Sequence, residues 1–166
     1  TWTRTLEVDE HAGATDLVVD PRDPDVMYAA TYQRARRVWT LIDGGPGSGI
    51  WKSTDGGITF TALFDDQDVA SIGAIGVNQQ SPDIVWVGSG EGNPRNSASV
   101  GRGIYKTLDG GRTWTKLGLD KTERIHRIVL HPSDANTAWV SAFGTSWGEN
   151  AERGVFKTTD GGATWD

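Results

Sequence analysis

Apolar residues in this chain come as pairs of short runs, each pair parted by a tight polar turn. Residues 19–30 (VDPRDPDVMYAA), 77–88 (VNQQSPDIVWVG) and 130–141 (LHPSDANTAWVS) align without a gap. Each begins at the end of one apolar run, crosses a turn of Pro, Asp, Ser or Asn, and enters a second run. That pattern predicts a hairpin of two strands, A and B, whose turn residues set the backbone. A third strand, C, is expected at 50–54, 104–108 and 155–159, followed by an Asp-Gly-Gly turn into a fourth, D, at 59–64 and 113–117. The apolar runs are nearly continuous rather than alternating, as expected for sheets covered on both faces.

The C–D junction repeats as a phrase: 49–60 (GIWKSTDGGITF), 103–114 (GIYKTLDGGRTW) and 154–165 (GVFKTTDGGATW). A repeat interval near 50 residues marks an array of supersecondary units, none of which can bury its apolar faces alone. Four-stranded units of that length predict an all-β chain of β-propeller blades: a D strand at 1–8, then blades at 9–64, 65–118 and 119–166, the last lacking most of its own D strand. Three blades are too few for a closed ring, so the expected partners include further blades or further copies of the chain. Length varies mainly between strands B and C, which places the unit-specific loops on one rim, often the binding face.

Composition narrows the function classes. The net charge of −6 argues against a nucleic-acid footprint. Cysteine is absent, which removes disulfides, thiolate catalysis and Cys-type zinc sites. No apolar run is long enough for a membrane helix. No cofactor or metal motif is present. The acidic stretch Asp65-Asp66-Gln67-Asp68 lacks the Gly and terminal Glu of an EF-hand loop and reads as a solvated turn. His126 and His131 bracket a strand, too far apart for a metal site. His131 aligns with Asp20 and Asn78, a position that stabilises the A–B turn.

The repeated kernel is S/T-x-D-x-G-x-T-W/F. Ser53, Asp55, Gly57, Thr59 and Phe60 recur as Thr107, Asp109, Gly111, Thr113 and Trp114, and again as Thr158, Asp160, Gly162, Thr164 and Trp165. The aspartates are expected to accept backbone N–H groups across the turn, the glycines to supply positive φ, and the aromatic residues to seal the space between blades. Identical residues in every unit suit a fold role better than a single catalytic site. Lys52, Lys106 and Lys157 recur too, and a charge pair within each blade is expected for them.

Through these kernels the sequence resembles the Asp-box (BNR) repeat propellers, a group spanning sialidases, xyloglucan-cleaving endoglucanases, sortilin and a photosystem II assembly factor. The stretch 87–107 (VGSGEGNPRNSASVGRGIYKT) resembles large bacterial sortilin-like propellers often labelled glycosyl hydrolases. The resemblance implies a propeller whose repeated turns are structural and lie away from the working face, in an extracellular or periplasmic protein.

Candidate ligand-binding residues therefore sit on the B–C loops. They are Trp39 in the first blade, with Tyr32, Arg34, Arg36 and Arg37 and a flexible glycine-rich tail at 44–49; Glu91, Asn93, Arg95 and Asn96 in the second; and Trp147 and Glu149 in the third. Aromatic residues beside carboxylates, amides and arginines suit a protein ligand first and a carbohydrate second. Catalysis is harder to support. Glycoside hydrolysis needs two carboxyl groups about 5–9 Å apart, and no spacing in the sequence selects a pair. The Arg-Ile-Pro phrase of sialidases is missing. The expected function is a binding platform. A glycoside-hydrolase propeller with part of its site outside this segment, and a scaffold arc that closes by oligomerising, are the alternatives.

Overall fold

The computed structural model describes residues 1–93 and 98–166. Among these the chain forms three antiparallel sheets in sequence order, with one 3-10 turn at Asp120–Thr122 and no α-helix. The first sheet holds β1 (Ala12–Val19), β2 (Met27–Arg36), β3 (Leu41–Asp43), β4 (Gly49–Ser53) and β5 (Thr61–Ala62). The second holds β6 (Ile72–Val77), β7 (Val85–Ser89), β8 (Ile104–Thr107) and β9 (Thr115–Lys116). The third holds β10 (Ile125–Leu130), β11 (Ala138–Ala142) and β12 (Gly154–Thr158). Each sheet is built on a meander, as a propeller blade is: β1-β2-β4-β5, with β3 pairing the far end of β2, then β6-β7-β8-β9 and β10-β11-β12.

The A–B turns close as the residues dictate. Asp20 Oδ1 accepts the Arg22 N–H at 2.8 Å, Asn78 Oδ1 the Gln80 N–H at 3.0 Å, and His131 Nδ1 the Ser133 N–H at 3.2 Å. In the Asp-Gly-Gly turns every carboxylate is held by its own turn. Asp109 Oδ1 accepts the Thr107 hydroxyl at 2.6 Å and the Thr113 N–H at 2.9 Å, while Oδ2 accepts the Thr113 hydroxyl at 2.7 Å. Asp55 and Asp160 repeat the set with Ser53 and Thr59, and with Thr158 and Thr164. These bonds favour the ionised form and hold all three carboxyls below the usual range. They also explain why strand D is shorter than expected. The Thr59 and Thr113 N–H groups are committed to the turn, so the ladders start two residues later, at Thr61 and Thr115.

Both glycines of each turn have positive φ, 70° and 97° for Gly110 and Gly111. In the second and third turns the second glycine is also pressed against the preceding blade: a Cβ on Gly111 would overlap Leu63 Cδ1, and one on Gly162 would lie 2.5 Å from Leu117 Cδ1.

The core lies between blades. One cluster joins Tyr28, Ala30 and Ile50 of the first to Ile75, Val85, Val87 and Tyr105 of the second; the other joins Ala74, Trp86 and Ile104 to Ile128, Ala138 and Val140 of the third. Full burial of such side chains contributes about 1.5–3 kcal/mol each. The turn aromatics tie the same seams. Trp114 Nε1 donates to the Leu63 carbonyl at 2.8 Å, and Trp165 Nε1 to the Leu117 carbonyl at 2.9 Å.

Three expectations are corrected. Among the described residues the repeated lysines make no ion pair within their blade. Lys52 lies over the Tyr28 ring and donates to the Gly110 carbonyl at 3.2 Å; Lys106 lies over Trp86 and donates to Gly161 at 3.2 Å. Each therefore bonds the next blade's turn. Residues 1–9 form no strand: no backbone ladder pairs them with any of the three sheets. The glycine-rich tail at 44–49 is tied down rather than loose: Gly44 N–H donates to Gln33 O at 2.9 Å, Gly45 N–H to Ala70 O at 3.0 Å, and Gly47 N–H to Gln33 Oε1 at 2.8 Å.

Candidate functional site

The innermost strand of every blade breaks register at the same place. The slip falls between Ala14 and Asp16 in β1, between Ile72 and Ala74 in β6, and between Ile125 and Arg127 in β10. The extra residues are Thr15, Gly73 and His126, one position repeated three times. A β-bulge re-aims the side chain it carries. All three bulge residues line one cavity of about 170 Å³, together with Tyr32, Ile72, Glu91, Gly92 and Asn93. Gly73 supplies only backbone, since a Cβ there would overlap the Ile125 and Gly90 carbonyl oxygens. A Cβ on Gly92 would overlap the His126 ring, so this loop lies directly against the imidazole. His126 also lines a second space of about 270 Å³, beside Asp16 and Arg127.

Tyr32 closes the wall between the first two blades. Its hydroxyl contacts Glu91 Oε2 at 2.7 Å and Asp43 Oδ1 at 3.0 Å. Glu91 is buried, and Arg34 stands 3.9 Å from Asp43 across the β2–β3 pair. Burial first, then the bonds to the two carboxylates, push the phenol far above its ordinary pKa. It is held as a neutral donor and not as a nucleophile.

Beside this node, Glu123 takes φ 55° and ψ −39°, an uncommon conformation for a residue with a side chain. The kink turns Arg124 inward, where it is buried. Its guanidinium donates to Glu123 Oε2 at 2.6 Å, to Gly144 O at 2.9 Å and to Ala98 O at 3.2 Å, so one side chain spans the loops of the second and third blades. Backbone strain of this kind persists only where the surroundings over-determine it.

The expected site residues separate into two groups. Glu91 and Asn93 share the cavity with Tyr32. Arg95 and Asn96 lie outside the described residues. Trp39, 82% exposed, caps the β2–β3 hairpin, and Trp147, 70% exposed, stands with Glu149 on the loop before β12; none of the three lines the cavity. The first blade's B–C connection is itself an extended hairpin, with Tyr32, Arg34 and Arg36 on strand β2 rather than in a loop. Sequence reasoning passed over Thr15 and Asp43, and weighed His126 only as a metal ligand. The slip that re-aims Thr15 and His126 leaves no mark in a nearly continuous apolar run, so no sequence signal was available for it. Among the described residues, no group of three His, Cys, Asp or Glu side chains could hold a metal ion.

No protein-family model matches the chain, and no curated protein sequence matches it. Solved structures do. The structure titled YCF48 bound to D1 peptide superposes with a TM-score of 0.60 at 15% identity, covering 97% of this chain and 41% of that one. An ancestral GH74 enzyme gives 0.57 at 19% identity over 99% of this chain, and the GH74 xyloglucanase from Xanthomonas campestris 0.57 at 18% over 90%. The fold is a β-propeller's. The chain spans 25% and 22% of the two GH74 proteins, so three blades correspond to an arc of these larger propellers. No helix among the described residues is long and apolar enough to cross a membrane.

Proposed function

We propose that this propeller arc is a recognition platform that takes a polypeptide segment at the axial cavity. The observation that carries the reading is the convergence there of three bulges from three blades, walled by the Tyr32–Glu91 contact. Asn93 and His126 are exposed at the opening and offer an amide and an imidazole to a backbone or a polar side chain. The arginines of the β2–β3 hairpin and exposed Trp39 extend the surface with residue types common at protein interfaces. The neighbour described as bound to a peptide shares the fold and supports this choice. An extracellular or periplasmic site of action is part of the proposal, supported by the resemblance of residues 87–107. So is the assignment of the repeated turns as Asp boxes with a purely structural role.

A glycan-directed or glycoside-hydrolase propeller is the second reading, supported by the two GH74 neighbours. Asp43 and Glu91 would be the pair at hand, yet both contact one phenol, and a general acid and base would have to be released from it.

Screening the protein against a peptide array and a glycan array separates the two. The proposal expects peptide binding that falls about tenfold in Asn93→Ala and His126→Ala, a loss of about 1.4 kcal/mol. Glycan binding lost in Trp39→Ala and Trp147→Ala, with no peptide signal, would replace it with the second reading.

A further inference from the structure

The two seams between blades share one frame but differ at the end that carries the C–D turns. In the first seam, Lys52, Thr54, Thr61 and Leu63 face Gly110 and Arg112 of the second blade across a cavity of about 240 Å³. The cavity opens beside the turns, at the opposite end of the sheets from the B–C loops. It is therefore separate from the axial site.

Two cations line this cavity and no carboxylate does. Lys52 spends one N–H on the Gly110 carbonyl at 3.2 Å and keeps two. The Arg112 side chain makes no hydrogen bond or ion pair among the described residues. Thr54 and Thr61 are exposed, with their hydroxyls open. Two carboxylates stand nearby, and neither closes on the arginine. Asp55 accepts the Thr59 hydroxyl at 2.5 Å and is committed to its own turn. Asp83 stands behind Gly110, where a Cβ would meet its Oδ1 and Lys52 Nζ at 2.8 Å each. It offsets part of the lysine's charge.

The second seam shows which of these residues the fold requires. Lys106, Thr115, Leu117 and Gly161 repeat the lysine, the strand threonine, the leucine and the glycine, and the lysine–glycine bond recurs with them. Thr54 and Arg112 are not repeated. Leu108 and Ala163 take their places, in turns that close with the same bonds. A turn that closes as well on leucine and alanine has no structural need of a threonine and an arginine there.

We propose that this cavity at the first seam is a binding site for a tetrahedral oxyanion, a phosphate or sulfate group. A guanidinium fork engages two oxygens of such a group at once, and an ammonium adds a point charge. Arg112 supplies the fork, Lys52 the ammonium, and Thr54 and Thr61 the hydroxyl donors for the remaining oxygen. Leu63 gives the cavity an apolar wall, which suits the carbon of an ester carrying the group. With a net charge of −6 the chain has no general affinity for anions, so the attraction is local.

Amide NMR of the isotope-labelled protein tests the site, with inorganic phosphate and inorganic sulfate titrated separately at an ionic strength fixed by chloride. Thr54, Thr61 and Arg112 should shift and saturate in the low millimolar range, and the two titrations show which anion is preferred. Arg112→Ala and Thr54→Leu introduce residues that the sister turns already accept, so both variants keep the fold. The first should weaken binding about tenfold and the second about threefold. Lys121→Ala removes an equal charge from the Asp120–Thr122 turn and should change nothing. The converse pair, Leu108→Thr with Ala163→Arg, should create a second saturable site at the later seam. Shifts that grow without saturating in both titrations, or that persist undiminished in Arg112→Ala, overturn the proposal. Peptide binding at the axial cavity is read separately and does not depend on this outcome.

Discussion

Lys106 of the second blade donates its ammonium to the carbonyl of Gly161 in the third, at 3.2 Å. Its stem crosses the face of Trp86, 4.5 Å from Nζ to ring centre, so one residue combines a charge-assisted bond with a cation–π contact. Lys106→Met keeps the stem and removes the charge. The expected cost is about 1–3 kcal/mol in urea unfolding, and the fully buried Trp86 should show altered fluorescence.

The turn aspartates set the acid limit of the fold. Asp55 is held at about 2 against an ordinary 3.8, chiefly by the Thr59 hydroxyl and N–H and then by Ser53. Asp109 and Asp160 are depressed further by Thr107 and Thr113, and by Thr164 and Thr158. In the unfolded chain these groups take up protons near 3.8, while the native turns still hold them ionised. Their stabilisation is therefore complete above that pH and drains away as pH falls toward about 2 and below. Denaturant unfolding between about pH 5 and about pH 2 should show steadily falling stability. Asp109→Asn should flatten that slope and lower the melting temperature at neutral pH.

Gly111→Ala tests the seam from the backbone side. The substitution strains a residue at φ 97° and drives a methyl into Leu63, for an expected loss of about 2–4 kcal/mol. Gly148→Ala makes the control in a melting experiment: its φ is 82°, but nothing lies near its Cβ, and the loss should be about 1–2 kcal/mol.

Tyr32→Phe deletes the hydroxyl shared by Glu91 and Asp43. The expected loss is about 1–3 kcal/mol, together with weaker peptide binding. Because the phenol stays protonated well above its ordinary range, an absorbance titration around pH 10 should look the same in wild type and variant. A tyrosinate signal lost from the variant in that range would show that Tyr32 ionises normally.

Apart from the turn aromatics, whose place between blades the repeat already implies, what the sequence reveals stops at the edge of a single blade. Asp20, Asn78 and His131 mark the turns, and the Ser53–Phe60 kernel with its two later copies marks the C–D hairpins, because those contacts join residues two to four apart. Tyr32 and Glu91 are 59 residues apart and Lys52 and Gly110 are 58 apart, so they meet only once blades are stacked. Periodicity says which way a side chain faces and nothing of what it will meet. The extended β2–β3 hairpin was within reach, since Tyr32, Arg34 and Arg36 alternate through a run with strand spacing, but the arginines drew attention to chemistry instead.

Strand β7 is buried at all five of its positions, flanked on either side by a neighbouring blade. Hydrogen exchange should be slowest there, with amides of the flanking blades opening first and those of β7 last. Heat or denaturant would then loosen thinly covered β12 well before β7, which would owe its endurance to its companions.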